Sequence, residues 1–181
     1  LRGVRAPWQR DPCRRGAEPR SARARLARQV AAPRPSGSHA ALRWRLPRER
    51  LLYLGDTARL PYGTKSAATV RRYTQVNLDF LAQRGVKAVV VACNTASALA
   101  LDGVDHCNRR EAALPVWGVI EPGADRAAAA TRNGRVGVIA TESTVSSDAY
   151  AIALRRIVPG LEVWSQACPL LVPLIEEGWL D

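Results

Sequence analysis

Apolar and polar positions fall into alternating blocks from residue 42 onward. Residues 51–54 (LLYL) form a short apolar run bounded by Gly55-Asp56, the pattern of a buried strand. Pro61-Tyr62-Gly63 marks a turn. Over residues 64–83 the spacing is helical. Val70, Tyr73, Asn77, Phe80 and Leu81 line one face, and Arg71, Arg72 and Gln75 the other. Gly85 supplies the stop. Residues 86–92 (VKAVVVA) are β-branched and almost continuously apolar, as a central parallel strand is. Further strands are predicted over 116–120, 136–140 and 161–164. Helices are predicted over 95–101 and 124–131, from a cap at Thr141 or Thr144 to about residue 157, and over 170–177.

This order predicts an α/β fold with mostly parallel sheets and flanking helices. Ligands of such sheets bind outside the carboxyl ends of the strands. The loops at those ends read GDTARLPYG, CNTAS, EPG and TESTVS, all rich in small polar groups and turn residues. No apolar run approaches the roughly 18 residues of a membrane-spanning helix, so no membrane role is expected.

Charge changes the picture at one end only. The chain of 181 residues carries a formal +11. Residues 1–50 hold 14 Arg against 3 acidic residues, whereas residues 51–181 hold 13 Lys+Arg against 13 acidic residues. Residues 1–41 are mostly Arg, Ala, Pro, Gly and Ser, with five prolines and no apolar periodicity. Such a segment buries too little apolar surface to offset its ordering entropy, so an arm without structure is expected there. GC-rich DNA read in an arbitrary frame encodes this composition, and an out-of-frame end is the favoured origin. A targeting peptide and a nucleic-acid-binding tail are the alternatives.

Cys93 follows the strongest strand and opens a helix, where backbone N–H groups and the positive end of the helix dipole face the sulfur. Asn94 and Thr95 add hydrogen-bond donors beside it. Together they could hold a small carboxylate against a reactive thiol; a buried structural cysteine is the competing explanation. Cys13 lies in the arm, Cys107 in a polar loop beside His106, and Cys168 before Pro169, where packing is expected. None has the spaced partners of a metal site. There is no phosphate-binding glycine loop and no dinucleotide fingerprint.

Five segments occur in order: YLGDTARLPYGTKS (53–66), VVVACNTASA (89–98), LPVWGVIEPG (114–123), RVGVIATESTVSSDAY (135–150) and CPLLVPLIEEG (168–178). Together they closely resemble the glutamate racemases, of the cofactor-independent aspartate/glutamate racemase family, over residues 42–181. The resemblance implies interconversion of L- and D-glutamate, supplying D-glutamate for peptidoglycan in the cytoplasm, without metal or pyridoxal cofactor. It implies two cysteines on opposite faces of the substrate α-carbon. A single one-proton base tends to return its proton to the face it came from, so inversion uses a thiolate on one face and a thiol on the other. By position, Cys93 matches the first catalytic cysteine. Asn94 and Thr95 match contacts to the substrate carboxylate, and Tyr62-Gly63 match the substrate-contacting turn. Thr141 and Thr144 are expected to face the same pocket.

The family fold implied is two similar α/β domains facing each other across the site, with intact members forming homodimers. Residues 42–113 would supply part of the first domain and 114–181 part of the second. The family's opening Asp-Ser-Gly loop and its later Gly-Cys-Thr-His motif, which carries the second cysteine, have no counterpart between Leu1 and Asp181. An inactive fragment of a glutamate racemase is therefore expected. The alternatives are a racemase of aspartate or another amino acid, and a non-catalytic protein binding nucleic acid through its basic arm.

Overall fold

A computed structural model describes residues 37–101 and 114–179. The expectations for residues 1–36, Cys13 and the His106-Cys107 loop lie outside the described residues. The chain divides into two compact units between Ala58 and Arg59. In the first, helix α1 spans Gly37–Arg45 and buries none of its side chains. It takes in the last five positions of the arm that was expected to lack structure. Ala40, Ala41 and Leu42 are strong helix formers, and the local prolines end at Pro35. The His39 ring meets Tyr53 edge-on, with centroids 5.7 Å apart. Residues 51–54, expected as a strand, form none. A parallel strand needs a neighbour to accept its ladder hydrogen bonds, and neither sheet of the described residues extends to this run.

The second unit alternates strand and helix. Helix α2 spans Ala67–Ala82, and the Ser66 hydroxyl caps it by accepting from the Thr69 N–H. Its buried stripe is Val70, Thr74 and Leu78, rotated from the predicted one. Tyr73, Asn77 and Phe80 are half-buried at the edge of that stripe. Gly85 takes φ +71° in the turn that follows, a conformation glycine adopts without steric cost. Strand β1 (Val89–Val90) leads to α3 (Asn94–Ala100), and β2 (Val116–Trp117) to α4 (Ile120–Ala130). Strand β3 (Arg135–Ala140) is followed by α5 (Glu142–Ser146) and α6 (Ala149–Ile157). Strand β4 (Glu162–Ala167) and helix α7 (Leu171–Glu177) complete the described order.

Two parallel strand pairs result. Val89 lies opposite Val116 in the first, and six consecutive pairs from Arg135–Glu162 to Ala140–Ala167 form the second. The first pair is much shorter than the apolar runs predicted. Val89 and Val91 donate to the Pro115 and Trp117 carbonyls, and the partner then leaves the ladder at Gly118 to enter α4. The expected EPG loop is therefore helix: Glu121, Pro122 and Gly123 all lie in the first turns of α4. Proline is tolerated there because its missing N–H would have had no partner. One continuous helix to residue 157 is likewise not observed. It breaks at Asp148, whose backbone is left-handed (φ 56°, ψ 11°).

Each strand pair has its own core. Val70, Leu78, Val89, Ala96, Ala100 and Leu114 form the first. Ile120, Ala124, Ala153, Leu154 and Leu161 form the second, with Val136, Val138 and Val163 of the sheet packed against it. The other face of β3–β4 presents Ile139 and Trp164, which are 68% and 57% exposed. Leu154 is fully buried, whereas Ile152 two residues earlier is exposed. Truncating Leu154→Ala removes apolar contacts and leaves a cavity, and should lower unfolding free energy by about 2–4 kcal/mol. Ile152→Ala should change it by less than about 1 kcal/mol. Denaturant midpoints of the two variants check this contrast.

Candidate active site

The chain leaves β1 through Val91 and Ala92 and turns into α3 at Cys93. Cys93 stands at the N-cap, its carbonyl accepting from the Ser97 N–H at 2.9 Å and its Sγ accepting from the Ala96 N–H at 3.5 Å. The thiol is exposed and free. Ser97, one turn on, is buried and serves as a clasp. Its hydroxyl donates to the Val91 carbonyl at 3.0 Å and accepts from the Val119 N–H at 3.2 Å. This ties the strand end before Cys93 to the segment that opens α4. Gly118 is packed beneath the clasp, where an added Cβ would lie 2.7 Å from Leu101 Cδ1 and 2.9 Å from Ser97 Oγ.

Three threonine hydroxyls meet next to Cys93. Thr95 Oγ1 is 3.0 Å from Thr141 Oγ1 and 3.3 Å from Thr144 Oγ1, and the last two are 3.0 Å apart. Thr95 and Thr144 are buried. Three hydroxyls carry three protons, so a closed ring of donors uses all of them. A carboxylate accepting from one hydroxyl would open one contact of the ring. Thr141 sits at the N-cap of α5 yet makes no capping bond, because its hydroxyl is turned into this cluster.

The turn at Tyr62-Gly63 reaches the same place through its backbone. Ser143 Oγ donates to the Gly63 carbonyl at 2.7 Å, 80 residues away in sequence. A Cβ at Gly63 would lie 2.7 Å from both Cβ and Cγ2 of Thr141. The Tyr62 side chain instead packs toward α2. Its ring meets Tyr73 edge-on at 6.1 Å, and its hydroxyl accepts from Asn77 Nδ2 at 3.4 Å.

Asn94 is anchored from the other side, where the Tyr150 hydroxyl donates to its Oδ1 at 2.7 Å. Burial pushes the Tyr150 phenol above its ordinary value. Asn94, Thr141, Thr144, Tyr150 and Cys168 line an open cavity of about 480 Å³, floored by Val136 and Val138. Thr95 joins it through the hydroxyl cluster. Cys93 and the Tyr62-Gly63 turn stand beside this cavity's lining rather than in it. Sequence reasoning missed Ser97, Ser143 and Tyr150. Tyr150 and Ser143 both stand in a segment already singled out, but only the fold reveals their partners. Among the described residues no cluster of His, Cys, Asp and Glu could hold a metal ion. The arrangement offers the exposed Cys93 thiol, with free Cys168 in the cavity lining, beside amide and hydroxyl donors, a set suited to proton transfer at a carbon next to a carboxylate.

Gly63→Ala should push Thr141 aside, open the hydroxyl cluster and cost about 1–3 kcal/mol. Ala98→Gly, outside the cluster, should leave the cluster intact. Chemical denaturation of both variants, with Thr141 and Thr144 methyl shifts as the local readout, tests this.

The Asp/Glu/hydantoin racemase family profile matches residues 36–172. The chain is 59% identical over 136 residues to a glutamate racemase of Geobacter metallireducens, covering 75% of this chain and 49% of that one. Among solved structures, glutamate racemase from Francisella tularensis in complex with D-glutamate superposes with a TM-score of 0.69 at 41% identity, over 77% of this chain and 51% of that one. The Aquifex pyrophilus enzyme gives 0.67 at 46% identity, over 79% and 54%. The chain thus spans about half the length of the curated relatives it matches. With more than half of its residues inside the profile, this chain belongs to the Asp/Glu/hydantoin racemase family.

Proposed function

We propose that this chain carries the first-cysteine half of a glutamate racemase, which interconverts L- and D-glutamate and so provides D-glutamate for peptidoglycan in the cytoplasm. The observation that supports it most is the Thr95–Thr141–Thr144 cluster, flanked by Asn94 and directly following Cys93. Asn94 and Thr95 are assigned to the substrate carboxylate. Cys93 is assigned to the α-proton, and the Tyr62-Gly63 turn borders the substrate. Residues 42–113 and 114–181 are assigned to two α/β domains; the buried residues of the second core all fall within 114–181, whereas the first core draws Leu114 across that boundary. The homologue solved with D-glutamate supports the substrate class.

In this scheme the Cys93 thiolate removes the α-proton from one enantiomer and leaves a carbanion-like centre. Fixed hydroxyl and amide donors stabilise the charge that spreads into the carboxylate. No cofactor is invoked. Inversion then needs a second acid–base group on the opposite face, and a one-face site alone returns a solvent-exchanged proton with retention.

Incubation of the chain with each glutamate enantiomer in heavy water tests the assignment. Deuterium should enter the α-position of one enantiomer only, and Cys93→Ala should lower that rate by at least about 100-fold, the lower end of what a positioned acid–base group contributes. No D-glutamate should form from L-glutamate. Exchange that survives Cys93→Ala would refute the role of Cys93, and faster exchange of aspartate would move the substrate assignment to that amino acid.

A further inference from the structure

We propose that Tyr150 is a positioning residue for the substrate-binding amide of Asn94. The inference rests on the assignment of Asn94 to the substrate carboxylate. An asparagine amide can be turned either way about its last torsion, and only one of the two orientations offers N–H donors to a carboxylate. The Tyr150 hydroxyl donates to Oδ1 at 2.7 Å, which selects the orientation that keeps Nδ2 as the amide's remaining donor side. Both residues line the same cavity, so the oriented amide faces space a ligand can enter.

The tyrosine is itself held. It packs, half-buried, against the second core. Its hydroxyl end lies against Gly123, where an added Cβ would be 3.0 Å from the oxygen and 3.1 Å from Cε1. Glycine at 123 therefore gives the phenol its place, and the EPG segment acts on the site through Tyr150. A phenol is protonated, and therefore a donor, across the neutral range, and burial pushes its titration further up. A deprotonated phenolate would only accept, and would select the opposite amide orientation.

The test uses the full chain labelled with nitrogen-15. The Asn94 side-chain amide signals are identified by their loss in Asn94→Ala. In Tyr150→Phe, which keeps the ring and removes only the hydroxyl, those signals should shift, and the Kd for glutamate should rise about two- to tenfold, the worth of one net hydrogen bond. Leu154→Val, which loosens the same core without touching the hydroxyl, should leave the Asn94 signals in place. Asn94 signals unchanged in Tyr150→Phe would overturn the proposal. Shifted signals in a chain that binds no glutamate would support the Tyr150–Asn94 coupling while refuting the substrate role of Asn94.

Discussion

The site depends on three threonine hydroxyls that share one small volume. Thr95 arrives from the first turn of α3, Thr141 from the N-cap that follows β3, and Thr144 from the first turn of α5. Each strand pair has a core of its own, bridged by Ala98 of α3, and that small apolar contact leaves a polar cluster to fix one pair against the other. The buried hydroxyls do so because a displaced member would leave polar atoms without partners, at a cost of about 1–3 kcal/mol each. The register of the two strand ends follows from hydrogen-bond satisfaction, and the thiol of Cys93 is carried along two residues before Thr95.

Close approach of backbone supports that register. Ser97 clasps the Val91 carbonyl and the Val119 N–H across Gly118, and Ser143 holds the Gly63 carbonyl against Thr141. In both places a small residue lets a hydroxyl reach a main-chain group directly. The result is a rigid floor under Asn94 and Thr95, with Cys93 left exposed above it. Support of this kind around an accessible thiol is what the proposed proton transfer at carbon requires, because the donors must already point at the charge that forms.

Much of this was legible in the sequence. The periodic blocks gave the α/β order, and β3 was predicted within one residue of its observed start. Of the small polar segments, CNTAS, TESTVS and the Tyr62-Gly63 turn meet in one place. What was not legible has a common cause. Residues 51–54 and 86–92 are apolar enough for strands, but a strand exists only where a partner pairs with it. EPG looks like a loop by composition and is helix because proline and glycine are placed in its first turns. Ser143 and Tyr150 find their partners 80 and 56 residues away, and no local period marks such contacts. The Tyr62-Gly63 turn meets Ser143 through its backbone, but the Tyr62 side chain is claimed by Tyr73 and Asn77.

The left-handed backbone at Asp148 has a geometric consequence for what surrounds the cavity. Thr144 and Tyr150 are six residues apart, and on an unbroken helix at about 100° per residue they would point about 120° away from each other. One of the two would then be aimed at solvent or into the sheet. The single reversed residue resets the helical phase between α5 and α6, and both side chains line one cavity. A helix with a dislocation in it thus works as two short tools ground to different angles, where a straight one could present only a single edge.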